Sequence, residues 1–197
     1  MTSPKNLPQR LSMNKLKLKD ITVATSNKYK IDELTSILGN GFKLKNIDIP
    51  EIQSLNLDEV ITEKAKMAYQ NIKKPVLVED VSFEIEALNG LPGPFIKFFL
   101  QTLGTEGIIK LIGDKPTKTK VTAAVAIYDG AKLKIFKGKV NGKLSKTSMG
   151  ENGFGFDRIF IPKGYKKTFA QMSQAQKNKI SHRAKALTRL KEYLTAY

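Results

Sequence analysis

The pattern of apolar and polar positions becomes readable at Ile21. The run ITVATS (21–26) is apolar and β-branched, which predicts a short buried strand. Ile31, Leu34 and Leu38 then recur at helical spacing, with Ser26 or Asn27 able to cap the start and Gly39-Asn40-Gly41 to stop it. FKLKNIDI (42–49) reads as a second strand, ending at Pro50. Strand, helix and strand in that order announce an α/β sheet. Leu57, Ile61, Ala65, Ala68 and Ile72 predict a helix over 57–72, and PVLVED (75–80) predicts a buried strand ending in two acids. The turn formers of ALNGLPGP (87–94) precede helices over 95–103 and 106–113. KVTAAVAIY and KLKIFKGKV flank Asp129-Gly130-Ala131 as a hairpin, so the sheet is mixed. RIFIP (158–162) is a further strand, and Ile180, Ala184, Leu187, Leu190 and Leu194 line one face of a last helix. No internal repeat interrupts this order.

Composition narrows the chemistry. At 197 residues and 41% hydrophobic, the chain can build one cored domain, with two lobes within its range. It has no cysteine, which removes thiolate chemistry and disulfides and fits a reducing compartment, with the cytoplasm as the expectation. One histidine rules out paired-histidine metal sites, so a metal here is held by oxygen, pointing to Mg²⁺ or Mn²⁺. Thirty-four basic residues against 18 acidic give a net charge of +16. Two readings fit: a polyanionic partner such as nucleotide phosphates or RNA, or a solvated lysine-rich surface. Residues 1–20 are basic up to Asp20 and lack a secretory apolar segment, and they are expected to form a flexible leader before a single domain over 21–197. No apolar run approaches the ~20 residues of a spanning helix.

Five stretches could carry chemistry. TSNKYK (25–30) is a strand-to-helix turn whose free N–H groups suit phosphate, with Lys28 and Lys30 adding charge; taken alone, plain helix capping is the favoured explanation. No Walker motif is present. Glu79 and Asp80 place carboxylates where α/β sheets hold ligands, one suited to a metal and one to an attacking water. Neighbours on a strand face opposite ways, so both acids reach one site only if the chain turns there, or they serve different shells. Glu51 is another acid after a strand, and it reads alone as an ordinary loop residue. GENGFGFDRIFIP (150–162) alternates glycine with phenylalanine beside Asp157, which suits stacking on a base or, equally, a core strand entry. Ser181 looks like an N-cap that puts His182 and Arg183 in the first turn of the last helix, where the helix dipole disfavours a charged imidazole.

Taken together, TSNKYKIDEL, VLVEDVSFEIEALNGLPGPFIKFFL, GFGFDRIFIPKGYKKTFAQMS and KNKISHRAKAL stand in the order and spacing of one family. The chain resembles the inosine triphosphate pyrophosphatases, from about Ile21 to Tyr193, with its VED…LNGLPGPFIKFF segment closer to the eukaryotic-type members. The resemblance implies a two-lobed α/β fold, with a long central mixed sheet flanked by helices and a nucleotide cleft between the lobes. It also implies a homodimer, a Mg²⁺ requirement and cleavage of a non-standard purine nucleoside triphosphate (ITP, dITP, XTP) to monophosphate and pyrophosphate.

Position by position, the resemblance implies that Thr25, Ser26, Asn27, Lys28 and Lys30 form the phosphate turn. Lys64 and Lys97 face the triphosphate, and Lys30 and Lys64 join Asp80, the water-activating acid, in catalysis. Glu51, Glu79 and Asp80 hold the metal. Phe154, Gly155, Phe156 and Asp157 stack on and read the purine, and Lys177, Ser181, His182 and Arg183 read the base and phosphates. Two positions depart from the family pattern: Ser26 stands for a glycine, and Arg158 for a proline after Asp157. The rival from another class is a basic nucleic-acid-binding protein on a nucleotide-binding fold, motivated by the charge.

Overall fold

A computed structural model describes residues 16–196. Seven strands form one sheet: β1 (Thr22–Ala24), β2 (Lys43–Lys45), β3 (Val76–Ile85), β4 (Pro92–Gly93), β5 (Lys118–Tyr128), β6 (Leu133–Leu144) and β7 (Phe160–Pro162). The order across the sheet is β2-β1-β3-β5-β6-β7, with the short β4 paired to β3. β1 runs parallel to β2 and β3, and the remaining pairings are antiparallel. The expected mixed sheet is therefore present, with its parallel part where the strand–helix–strand unit falls.

Five helices cover it: α1 (Lys28–Leu38), α2 (Leu57–Ile72), α3 (Ile96–Ile112), α4 (Gln174–Ile180) and α5 (His182–Thr195). On one face, Ile61, Ala65 and Ala68 of α2 pack on Val76, Val78, Ala124 and Ala126. On the other, Leu34 of α1, Ile108 of α3 and Leu187 and Leu190 of α5 pack on Val23, Leu77, Val125 and Ile127. Alternate residues of β3 and β5 thus feed two separate cores, which is why both strands read as continuous apolar runs.

The structure corrects several sequence expectations. β3 does not end at Glu79 and Asp80 but continues to Ile85, because β5 pairs with it in unbroken register from Val76↔Tyr128 to Ile85↔Thr119. The two acids therefore lie mid-strand. β2 is three residues long and exposed, shorter than 42–49. The helices expected over 95–103 and 106–113 are one element with a break at Gly104, whose φ of 65° only glycine adopts easily. Gly155–Arg158 is a 3₁₀ turn, so the next strand starts at Phe160. Ile180 belongs to the separate α4, and Ser181 both ends α4 and caps α5. Of the expected leader, residues 1–15 lie outside the described residues, whereas Leu16 packs into the core at 4% exposure.

α5 lies directly against β6 at Gly138. A Cβ there would stand 1.9 Å from the His182 carbonyl oxygen and 2.5 Å from the Ala186 nitrogen. Gly138→Ala should push α5 off the sheet and lower stability by about 2 kcal/mol or more in urea unfolding, an overpacking cost. Gly164→Ala, with nothing within 4 Å of its Cβ, should lose only about 1 kcal/mol, for its positive φ.

Candidate active site

The parallel end of the sheet opens into two adjoining cavities. One, of about 260 Å³, is lined by Thr25, Ser26, Asn27, Lys30, Glu51, Lys64 and Lys97. The other, of about 270 Å³, shares Asn27, Lys30, Glu51 and Lys97 and adds Asp80, apolar walls from Val81, Ile96 and Leu100, and the group Phe154, Gly155, Phe156, Asp157, His182 and Arg183. A polar, lysine-rich chamber thus leads into an apolar one with an imidazole and aromatic rings. A wider groove of about 820 Å³ lies over Glu84, Lys120 and Asn141 and holds none of the candidate residues.

Local sequence explains the first chamber. Asn27 caps α1, its side chain accepting from the Lys30 N–H at 3.2 Å, while the Thr25 hydroxyl accepts from Asn27 N–H at 3.1 Å. Ser26 is not among the residues with positive φ, so serine in place of glycine carries no backbone strain. Lys28 is exposed and lines neither cavity. Lys64 projects from α2 between two acids, 2.5 Å from Glu51 and 3.0 Å from Asp80. Burial opposes its charge, but Asp80 and then Glu51 overcome that, and its pKa rises above the ordinary lysine value.

Glu79 and Asp80 face opposite ways, as neighbours on a strand must. Asp80 meets Lys64 on the α2 side, its other oxygen accepting from the Val81 N–H at 2.8 Å. Glu79 turns toward α1 and α5, where Arg183 Nε and Nη2 donate to it at 3.2 and 3.0 Å. Lys30 stands 2.8 Å from the other Glu79 oxygen, close enough for an ion pair though outside hydrogen-bond geometry. Burial would raise the Glu79 pKa, but Arg183 and then Lys30 hold it down at about 2. Among the described residues no three His, Asp or Glu side chains gather as a ligand cluster. Glu51 and Asp80 do converge, around one ammonium, and their oxygens suit a hard divalent cation; Glu79 is committed elsewhere.

Behind the second chamber runs a buried chain of alternating charge. Lys177 lies 2.5 Å from Asp157 and 2.6 Å from Glu33, and Arg183 joins Glu33 to Glu79. Burial raises the Asp157 pKa, which Lys177 only partly offsets. Burial also opposes the Glu33 charge, but Arg183 and Lys177 prevail and its pKa falls. Arg183 is pushed higher still by Glu79 and Glu33, against its burial. Asp157 also accepts from the Phe154 N–H at 2.9 Å, bracing the 3₁₀ turn from within while Arg158 stays exposed. Sequence reasoning missed Glu33. Its one signal was an acid three residues from Lys30 and four from Ile37, on an inward helix face.

His182 lies between Phe156 and Phe169, with ring centroids 5.7 and 6.1 Å away. It is 1% exposed, and neither ring nitrogen has a hydrogen-bond partner. Burial, then Arg183 and Lys177, lower its pKa to about 3, so the imidazole is neutral, as its helix-start position suggested. Ser181 does not line the cavities; its hydroxyl accepts from the Ala184 N–H and fixes the start of α5. Phe156 packs on Phe83 at 4.5 Å and is largely core, whereas Phe154 is half-buried and stacks on Tyr29.

The sequence pattern of the Ham1 family matches residues 21–193. A protein of Hyperthermus butylicus named dITP/XTP pyrophosphatase is 36% identical over 181 residues, 90% of this chain and 95% of its own length. The inosine triphosphate pyrophosphatase of Schizosaccharomyces pombe is 38% identical over 182 residues, 90% of this chain and 96% of its own. A Ham1 protein structure from Coxiella burnetii superposes with a TM-score of 0.77 at 26% identity, covering 90% of this chain and 98% of that one.

Two stability predictions follow from the buried charges. Glu33→Ala leaves Lys177 and Arg183 short of a counter-charge and should cost about 3–5 kcal/mol in urea unfolding, against at most about 0.5 for Lys28→Ala. His182 stays neutral in the fold but takes a proton once unfolded, near its ordinary value of 6.5. Its depressed pKa therefore contributes stability that is full above 6.5 and lost as pH falls toward about 3. Glu79 adds a loss of the same sign between 4.5 and about 2. The urea midpoint should fall from pH 6.5 to 5, and His182→Asn should flatten that limb; an unchanged slope in the variant would remove His182 as its source.

Proposed function

The chain belongs to the Ham1 family, and on that premise we propose how its own residues carry out the family's reaction. It hydrolyses non-standard purine nucleoside triphosphates to the monophosphate and pyrophosphate, taking the triphosphate into the lysine-rich chamber and the base into the apolar one. The observation that carries this reading is the joined pair of cavities, with Lys30, Lys64, Lys97, Glu51 and Asp80 at one end and a buried neutral imidazole at the other.

At the phosphate end, Asn27 and Lys30 at the start of α1 and Lys97 of α3 bind and neutralise the polyphosphate. Lys64 holds Glu51 and Asp80 in place. Asp80 takes the proton of the water that attacks the α-phosphorus, and pyrophosphate leaves beside the lysines. Glu51 and Asp80 would hold Mg²⁺, which supplies charge neutralisation at the phosphate oxygens. Glu79 serves by orienting Lys30 and Arg183.

At the base end, an oxygen at the purine C6 accepts a hydrogen bond from His182. Arg183 has five N–H bonds, of which three are used by the two carboxylates, leaving two for a ligand. Adenine presents an amino group at C6 and leaves these donors unpaired, a loss of about 1–3 kcal/mol. Val81, Ile96 and Leu100 offer no side-chain acceptor to the 2-amino group of guanine. A homodimer fits the exposed apolar side chains Leu55, Leu91 and Phe98, and a reducing cytoplasm fits the absence of cysteine. No described helix is long and apolar enough to cross a membrane. The acids and lysines gathered in the cleft favour catalysis over the nucleic-acid-binding reading.

Chromatography of the products from ITP, XTP, dITP, ATP and GTP tests the assignment. ITP should give IMP and pyrophosphate, with activity lost in EDTA and restored by Mg²⁺. Orthophosphate with IDP would move the cleaved bond and sink the reading. Asp80→Asn should lower kcat by about 100-fold or more with nucleotide binding kept, and His182→Ala should narrow the ITP-over-ATP preference more than it lowers kcat.

A further inference from the structure

Tyr29 is an exposed side chain with a contact that its exposure does not explain. It lies in the first turn of α1, between Asn27 and Lys30, which serve the phosphate chamber. The residue is 57% exposed and contributes nothing to either core. Yet it stacks on Phe154 with centroids 5.1 Å apart and planes 15° from parallel. The contact crosses from the phosphate turn to the segment that borders the base chamber.

Phe154 needs an outside restraint. Gly153 and Gly155 flank it, so neither chain neighbour offers a side chain to pack on the ring. Its backbone N–H is tied to Asp157, but that bond leaves the side chain free to turn. Lys177 and Arg183 lie 5.3 Å from the ring centroid, and both are committed to buried carboxylates. Tyr29 is the neighbour whose stacking fixes the plane of the ring without another task.

We propose that Tyr29 is a positioning residue for base recognition: by stacking on Phe154 it holds that ring in the plane on which the purine settles. The proposal rests on the reading that Phe154 borders the base. A preset ring spares the bound base the cost of ordering it, so the effect falls on binding rather than on the phosphate chemistry. An aromatic pair of this kind is worth about a two- to tenfold change in affinity.

The test is steady-state kinetics on ITP beside competitive inhibition by inorganic tripolyphosphate, which has no base. Tyr29→Ala should raise the KM for ITP about three- to tenfold with kcat within about twofold. The inhibition constant of tripolyphosphate should stay unchanged, and Tyr29→Phe should keep the original KM. Because the ring is exposed, the alanine variant should melt within a degree or two of the parent. An unchanged KM would overturn the proposal. So would a parallel rise in the tripolyphosphate constant, which makes Tyr29 part of the phosphate turn, or a fall in KM, which makes its ring a competitor of the base. Failure of the parent protein to cleave ITP is a different result and strikes the base-pocket reading itself.

Discussion

The site depends on one run of buried charges: Asp157, Lys177, Glu33, Arg183, Glu79 and Lys30, in alternating sign. Four of its members, Lys177, Glu33, Arg183 and Asp157, are 3% exposed or less. Charges so dry must be neighbours or the fold fails, because an unpaired one carries a desolvation penalty of several kcal/mol. The run therefore fixes where α1, α4, α5, β3 and the 3₁₀ turn stand relative to one another. Apolar packing brings these elements to the sheet; ion pairing sets their positions to within a hydrogen bond.

That arrangement also divides labour between two adjacent acids. Glu79 is spent on the internal network and anchors Lys30 from behind, whereas Asp80, on the opposite face, remains at the cavity beside Glu51. Strand alternation makes this unavoidable. A carboxylate held in the buried ion-pair network and one facing the cavity can thus sit side by side without competing for the same cation.

Much of this was legible in the chain. The spacing of Leu57, Ile61, Ala65, Ala68 and Ile72 gives α2 with its observed bounds, and the β-branched runs give the mixed sheet. The motifs point to Thr25, Asn27, Lys30, Lys64, Asp80 and His182, and the fold brings these side chains to the walls of the two adjoining cavities. What was hidden depends on contacts distant in sequence. Two consecutive acids look like a strand end until Arg183, Lys30 and Lys64 neutralise them from three helices. Glu33 looks like a surface residue until Lys177 and Arg183, about 150 positions away, arrive. Tyr29 carries no signal at all, since its partner Phe154 is brought to it only by the fold. Periodicity records which face is buried; it does not record which charges will meet there.

The unpartnered imidazole of His182 has a consequence for fidelity. Its ring is already 1% exposed, so under the proposed placement of the base a mismatch would cost whatever hydrogen bond the wrong base fails to supply. A hydroxyl-lined, watery pocket would let solvent fill in for a missing acceptor and forgive the mismatch. The rings of Phe156 and Phe169 beside this imidazole offer no hydroxyl to do so. Under the proposed placement of the base, that burial would itself be the filter.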